Sequence, residues 1–173
     1  MSEISIRKIG PAEVENLKKI SQQTFSEAFA AANTEQNMNW YFETAYAVEQ
    51  LYSELMDSNS EFYFAELDER IIGYLKLNSG MAQTELQEEN GLEIQRIYVL
   101  NEFHGKKVGQ LLLEKALDVA RLKGADYVWL GVWEQNPKAI RFYEKNGFVA
   151  FDEHTFRFGD EDQRDVMMKL VLD

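Results

Sequence analysis

"LEIQRIYVLNEFHGKKVGQLLLEKALDVARLKGADYVWLGVWE", residues 92–134, is the stretch whose reading decides the fold. It opens as an alternating strand and ends in "DYVWLGVW", a buried-strand run, while Leu113, Ala116, Leu117 and Ala120 between them recur at helical spacing. Lys123-Gly124 stops that helix. Strand, helix and strand in this order make a right-handed crossover. The loop entering the helix then lies at the carboxyl edge of a sheet, where ligands usually bind. Strict alternation along "LEIQRIYVL" puts Glu93, Gln95, Ile97 and Val99 on one side and Leu92, Ile94, Arg96 and Tyr98 on the other.

Toward the N-terminus, "IIGYLKL" and "EFYFAEL" are period-two runs joined by "DER", a hairpin signature. The polar, acidic segment 78–90 reads as a long exposed connection. Before the hairpin, Tyr41, Ala45, Val48, Tyr52 and Leu55 predict one helix. Pro11, followed by the stripe Val14, Leu17, Ile20, Thr24, Phe25 and Ala28, predicts another, preceded by a short strand "ISIRKI". Toward the C-terminus, "NPKAIRFYEKNGF" (136–148) carries an N-cap Asn136, Pro137 at the first helical position and Gly147 as terminator. "VAFDEHTFRF" and "DVMMKLVL" close the chain as a hairpin about "GDED". The expectation is an α/β (α+β) mixed sheet of about seven strands flanked by about four helices. Residues 1–173 are expected to form a single domain, since this length suits one core.

Composition narrows the function classes. The chain has 45% apolar residues, enough for a folded core rather than disorder. With 18 Lys plus Arg against 30 Asp plus Glu, its formal charge of −12 argues against a sequence-independent grip on nucleic acid or anionic lipid. Any anion must therefore be held locally. No cysteine occurs, which removes disulfides, thiolate metal sites and a cysteine nucleophile; with two histidines, no metal site is expected. An N-terminus without an apolar core and the lack of an 18-residue apolar run make the cytoplasm the expected location, with no membrane partner.

One local exception to the acidic balance is "HGKKVGQ" (104–110). Gly105 and Gly109 flank Lys106, Lys107 and Val108 immediately before an apolar helix. A helix N-terminus offers unsatisfied N–H groups and a positive dipole end, so this is either a phosphate cradle or a solvated basic turn.

Taken with "NPKAIRFYEKNGF", the loop resembles the pyrophosphate loop of the GNAT superfamily of N-acetyltransferases, and the downstream segment matches that family's Asn-x-x-Ala-x-x-(Phe/Leu)-Tyr-x-x-x-Gly-Phe pattern throughout. Within the superfamily, "VWLGVWEQNPKAIRFYEKNGF" followed by "GDEDQRDVMMKL" is most similar to bacterial spermidine/spermine acetyltransferases of the PaiA type. The loop departs from the family pattern twice: His104 stands where Gln or Arg is usual, and Lys107 where the middle Gly is usual. A residue with a Cβ in the left-handed conformation costs on the order of 1 kcal/mol, which a lysine beside a pyrophosphate can offset by charge.

The resemblance implies acetyl-CoA as co-substrate and direct attack by a primary amine, with a small cationic polyamine as acceptor. It implies cofactor contacts from Ile97, Tyr98 and Val99 on the strand, from His104, Gly105, Lys106, Lys107, Val108, Gly109 and Gln110 in the loop, and from Asn136, Lys138, Phe142 and Lys145 downstream. Tyr143 is implied as the acid for the departing thiolate, or is an aromatic on the inner helix face. Glu93 is implied as the base, or is a strand carboxylate that binds substrate cation. Glu27, Glu35, Asp160, Glu161 and Asp162 are expected near the acceptor, and His154 at the sheet surface or in the substrate pocket. Other acceptors, namely protein N-termini, lysines or aminoglycosides, stay open, as do a non-catalytic CoA-binding module and a homodimer.

Overall fold

The computed structural model describes residues 3–173. Its strands are β1 (Ser5–Ile9), β2 (Ser60–Leu67), β3 (Arg70–Ser79), β4 (Gly91–Val99), β5 (Tyr127–Trp133), β6 (Val149–Phe158) and β7 (Glu161–Val171). Its helices are α1 (Val14–Phe29), α2 (Glu35–Thr44), α3 (Val48–Met56), α4 (Val108–Leu122) and α5 (Pro137–Lys145). One sheet runs β1-β2-β3-β4-β5-β7-β6, and only the β4–β5 pair is parallel. The mixed α/β architecture read from the sequence is the one found, with β7 returning between β5 and β6.

Both faces of the sheet are covered. Leu112, Leu113 and Ala116 of α4 pack with Leu92, Ile94, Val128 and Leu130 on one face, together with Tyr143 of α5. On the other, Leu17, Ile20 and Phe25 of α1, Met38 of α2 and Leu51 of α3 pack with Phe62, Phe64 and Tyr74. This explains why "EFYFAEL" is apolar at successive positions: Phe62 and Phe64 serve one core, Tyr63 and Ala65 the other.

Three expectations need correction. The helix expected over residues 41–55 is two helices, α2 and α3, broken at Ala45–Ala47, where Ala47 is extended. The break drives Tyr46 into the core beside the Tyr74 hydroxyl, while Tyr52, expected on the buried stripe, is 47% exposed. Segment 78–90 is also not a plain exposed connection. Gln83 is buried, and its amide accepts from Trp129 Nε1 (2.7 Å) while donating to the carbonyl of Glu88 (2.8 Å).

The third correction concerns β4. Its pairing with β3 slips between Lys76↔Arg96 and Leu77↔Ile94, leaving Gln95 as the extra residue of a β-bulge. Strict alternation therefore fails there. Leu92, Ile94, Ile97 and Val99 all join the α4 core, while Glu93, Arg96 and Tyr98 share the opposite face. A strand with two carriers of charge and four aliphatics can satisfy both environments only by such a slip.

Candidate active site

β4 and β5 are paired only from Gly91↔Tyr127 to Ile94↔Leu130, and beyond that they part. The gap leaves the β5-facing edge of residues 95–99 without a strand partner. It opens toward the start of α4, whose first acceptor is the Lys107 carbonyl, receiving the Leu111 N–H at 3.1 Å. The N–H groups of Val108, Gly109 and Gln110 thus have no acceptor within the helix. Lys107 sits at φ 66°, ψ 17°, in the left-handed region, and Gly105 at φ 81°. The lysine does occupy a glycine-type conformation, with an exposed side chain at a helix N-terminus.

Neighbouring side chains hold this loop to the strand and to α5. His104 Nε2 lies 2.9 Å from the Val99 carbonyl, so the unusual histidine ties the loop to the end of β4. Lys106 Nζ stands over the Phe103 ring at 5.8 Å. Gln110 donates to Asn146 Oδ1 (3.0 Å), and Asn146 in turn donates to the Phe142 carbonyl (2.9 Å), coupling α4 to α5. Asn136 caps α5 by accepting from the Ala139 N–H at 3.2 Å, which leaves its Nδ2 available. Lys138 and Lys145 are exposed on α5. Backbone donors, a helix dipole and an open strand edge are the groups that a pyrophosphate and an amide-bearing arm require.

On the α1 face a cleft of about 220 Å³ reaches the same gap. Phe25, Phe29, Tyr98, Trp129, Trp133 and Phe156 form its aromatic walls, and Glu85, Glu93, Arg96, His154 and Asp165 bring charge. A polar hollow of about 380 Å³ adjoins it through Trp133 and Gln163 and carries Glu134, Glu161 and Asp162. The hairpin tip is fastened over the cleft. Asn37 Nδ2 donates to Asp160 Oδ1 (2.9 Å), and Gln163 Nε2 to Asn33 Oδ1 (2.8 Å). Gly159, at φ 62°, leaves room that Asn37 fills: a Cβ there would meet Asn37 Oδ1 at 2.0 Å.

Residues 17–148 match the Acetyltransferase (GNAT) family. The chain belongs to that family. It is 35% identical over 172 residues, covering 99% of both chains, to an uncharacterized N-acetyltransferase in the pepI 3′ region of Lactobacillus delbrueckii subsp. lactis. It is 29% identical over 153 residues to the spermidine N(1)-acetyltransferase of Thermoplasma acidophilum, covering 86% of this chain and 90% of that one. The crystal structure of the PaiA N-acetyltransferase of T. acidophilum in complex with coenzyme A superposes with a TM-score of 0.81 at 26% identity, covering 98% of this chain and 99% of that one.

In this GNAT acetyltransferase the two implied reacting groups sit in different surroundings. Tyr143 is 7% exposed on the inner face of α5, packed edge-on against Phe142 and Phe148. Burial pushes its phenol well above the ordinary value of 10, so it is protonated at neutral pH. Its hydroxyl has no hydrogen-bond partner among the described residues. Tyr98, which lines the cleft, is within electrostatic reach of it. Glu93 is 3% exposed. Oε1 accepts from Asn78 Nδ2 (2.9 Å) and the Thr84 N–H (2.8 Å), and Oε2 accepts from the Thr84 hydroxyl.

Several of the carboxylates expected beside the acceptor lie elsewhere. Glu27 accepts from the Asn101 N–H at 2.7 Å, Glu35 sits in the first turn of α2, and Asp160 accepts from Asn37 Nδ2; none of the three lines the cleft or the hollow. Glu161 and Asp162 do line the hollow, and His154 lines the cleft, 3.0 Å from Glu85. Sequence reasoning missed Asp165, the Asn78–Thr84 clamp and a buried ion cluster behind the cleft. In that cluster Glu54 Oε1 pairs with Lys76 Nζ (2.6 Å) and Arg96 Nη1 (3.3 Å), and the Arg96 guanidinium lies over the Tyr46 ring at 5.1 Å. Burial pushes the Glu54 carboxyl up, but Arg96 and Lys76 outweigh it, and the net direction is down. Burial and Arg96 lower Lys76 to about 8 despite Glu54. The one available signal was the pair of charged residues, Glu93 and Arg96, set among the aliphatics of that strand.

Among the described residues no group of three or more metal-ligating side chains occurs, and no helix is long and apolar enough to cross a membrane.

Proposed function

We propose that this single-domain acetyltransferase moves an acetyl group from acetyl-CoA to a primary amine of a small polyamine, such as spermidine or spermine, by direct attack. The observation that carries the reading is the acceptor space: an aromatic cleft with carboxylates at the β4–β5 gap, continuing into a hollow bearing Glu134, Glu161 and Asp162. A flexible cation with charges spaced along an alkyl chain suits it, since methylenes lie against aromatic rings and ammonium groups meet carboxylates. The resemblance to a spermidine N(1)-acetyltransferase supports the same acceptor.

In this reading the N-terminus of α4, with Gly105 and Lys107, holds the pyrophosphate. The open edge of β4 at Ile97–Val99 receives the pantetheine amides, and Asn136 Nδ2 donates to that arm. Tyr143 donates its proton to the departing sulfur. The attacking nitrogen must lose a proton, because a free alkylamine titrates near about 10.4. Glu93 directs this step from the cleft wall through solvent, its own oxygens being fixed by Asn78 and Thr84. The test is free-CoA release from purified protein with acetyl-CoA and, in turn, spermidine, an aminoglycoside and N-terminal peptides. Release favouring spermidine supports the reading; release with peptides or the aminoglycoside alone overturns the polyamine acceptor.

A further inference from the structure

The charged side chains of the cleft divide into those hydrogen-bonded or ion-paired inside the protein and one that is neither. Glu93 is held by Asn78 and Thr84, Arg96 by Glu54 and the Tyr46 ring, and His154 by Glu85. Asp165, midway along β7, receives no hydrogen bond or ion pair from any described residue, although it is half-buried and lines the same cleft. Its register places it beside His154 on β6 and Trp133 on β5. On the neighbouring strand β5 lies Gly131, which has no side chain to cover Asp165; a Cβ there would stand in van der Waals contact with Oδ2, at 3.5 Å. Burial pushes the Asp165 carboxyl up, and His154 pulls it the other way.

A carboxylate withdrawn from water without a donor is destabilising, whereas the same carboxylate meeting a cation is not. Its surroundings suit one kind of cation. Phe29, Trp133 and Phe156 supply π-faces, and an alkylammonium brings up to three N–H donors to a group that has none. We propose that Asp165 is the ion-pair partner of an ammonium group of the acceptor and makes the cleft selective for cationic amines. This rests on the amine-acetyltransferase reading above and assigns its substrate selectivity to a particular side chain.

The test compares wild type with Asp165→Asn and Asp165→Glu at saturating acetyl-CoA and varied spermidine, with the dissociation constant for acetyl-CoA measured separately. Asp165→Asn is expected to raise KM for spermidine at least about tenfold while changing kcat less than about threefold, because a charge pair is lost without touching the reacting groups. Acetyl-CoA affinity should stay as in wild type, and Asp165→Glu should recover part of the KM. The melting temperature of unliganded Asp165→Asn should equal or exceed that of wild type, since a charge without a partner has been removed. An unchanged KM, or a lower melting temperature that reveals an internal partner for the carboxylate, overturns the assignment. Should wild type prefer a peptide N-terminus or an aminoglycoside, the polyamine reading falls while the same comparison on that acceptor still decides Asp165; a wild type that acetylates no amine overturns both.

Discussion

The two sides of the β4–β5 gap are built in different ways. In the proposed reading the cofactor side comes from two short contiguous stretches, 97–110 and 136–148, and works mainly through backbone groups at a helix N-terminus and a strand edge. The acceptor side of that reading gathers side chains from α1, α2, the connection at Thr84 and Glu85, β4, β5, β6 and β7, up to 142 residues apart in the case of Phe25 and Met167. Backbone donors need only a local turn, so they leave a local pattern in the chain. Side-chain recognition needs the finished sheet.

If that division holds, damage should sort by side. The largest effect is expected where the sides meet: Tyr143→Phe should lower kcat and kcat/KM together, on the order of 10³-fold, leaving acetyl-CoA binding in place. Binding lost in parallel, seen by calorimetry, would make Tyr143 a packing residue instead. On the acceptor side, Glu54→Gln removes the one carboxylate among the described residues that pairs with both Lys76 and Arg96, and should cost about 3 kcal/mol of stability in urea unfolding near neutral pH. Because the Glu54 carboxyl is held below its ordinary value of 4.5, its contribution is fully present above that value and is lost as pH falls through the depressed one. The variant should accordingly lose less stability on acidification than wild type, and an equal loss would mean that Glu54 is not the group titrating.

Smaller effects sharpen the cofactor side. Lys107→Glu should weaken acetyl-CoA binding more than about tenfold, while Lys107→Gly stays within about tenfold, or 1.4 kcal/mol, because glycine regains in backbone freedom part of what is lost in charge. A harmless charge reversal would show that the side chain plays no part. Smallest is Thr84→Val, expected to cost about 1 kcal/mol and to raise KM for the amine without moving acetyl-CoA affinity, since it withdraws one donor from Glu93. Equal effects on both ligands would contradict the separation of the sides.

The same division explains what was legible in the sequence. The α4 helix with its Gly124 stop, the Asn136 cap, both hairpins and the left-handed Lys107 all follow from neighbours in the chain, and the structure has each of them. The break at Ala45–Ala47 was not legible, because the stripe continues through it and only the burial of Tyr46 beside Tyr74 shows why the helix stops. Asp165 looked like the first residue of an ordinary strand. Its meaning depends on Gly131 and His154, which reach it from two other strands.

Gln95 has a consequence for comparing chains of this family. Keeping that residue without the slip would rotate 96–99 by half a strand repeat, sending Arg96 and Tyr98 toward α4 and turning Ile97 and Val99 to the cleft, whereas deleting it would restore plain alternation with every side chain on its present face. Positions before and after it therefore belong to separate frames of reference. A relative one residue shorter here should be aligned with its gap opposite Gln95, which keeps the cleft-facing residues of both halves matched.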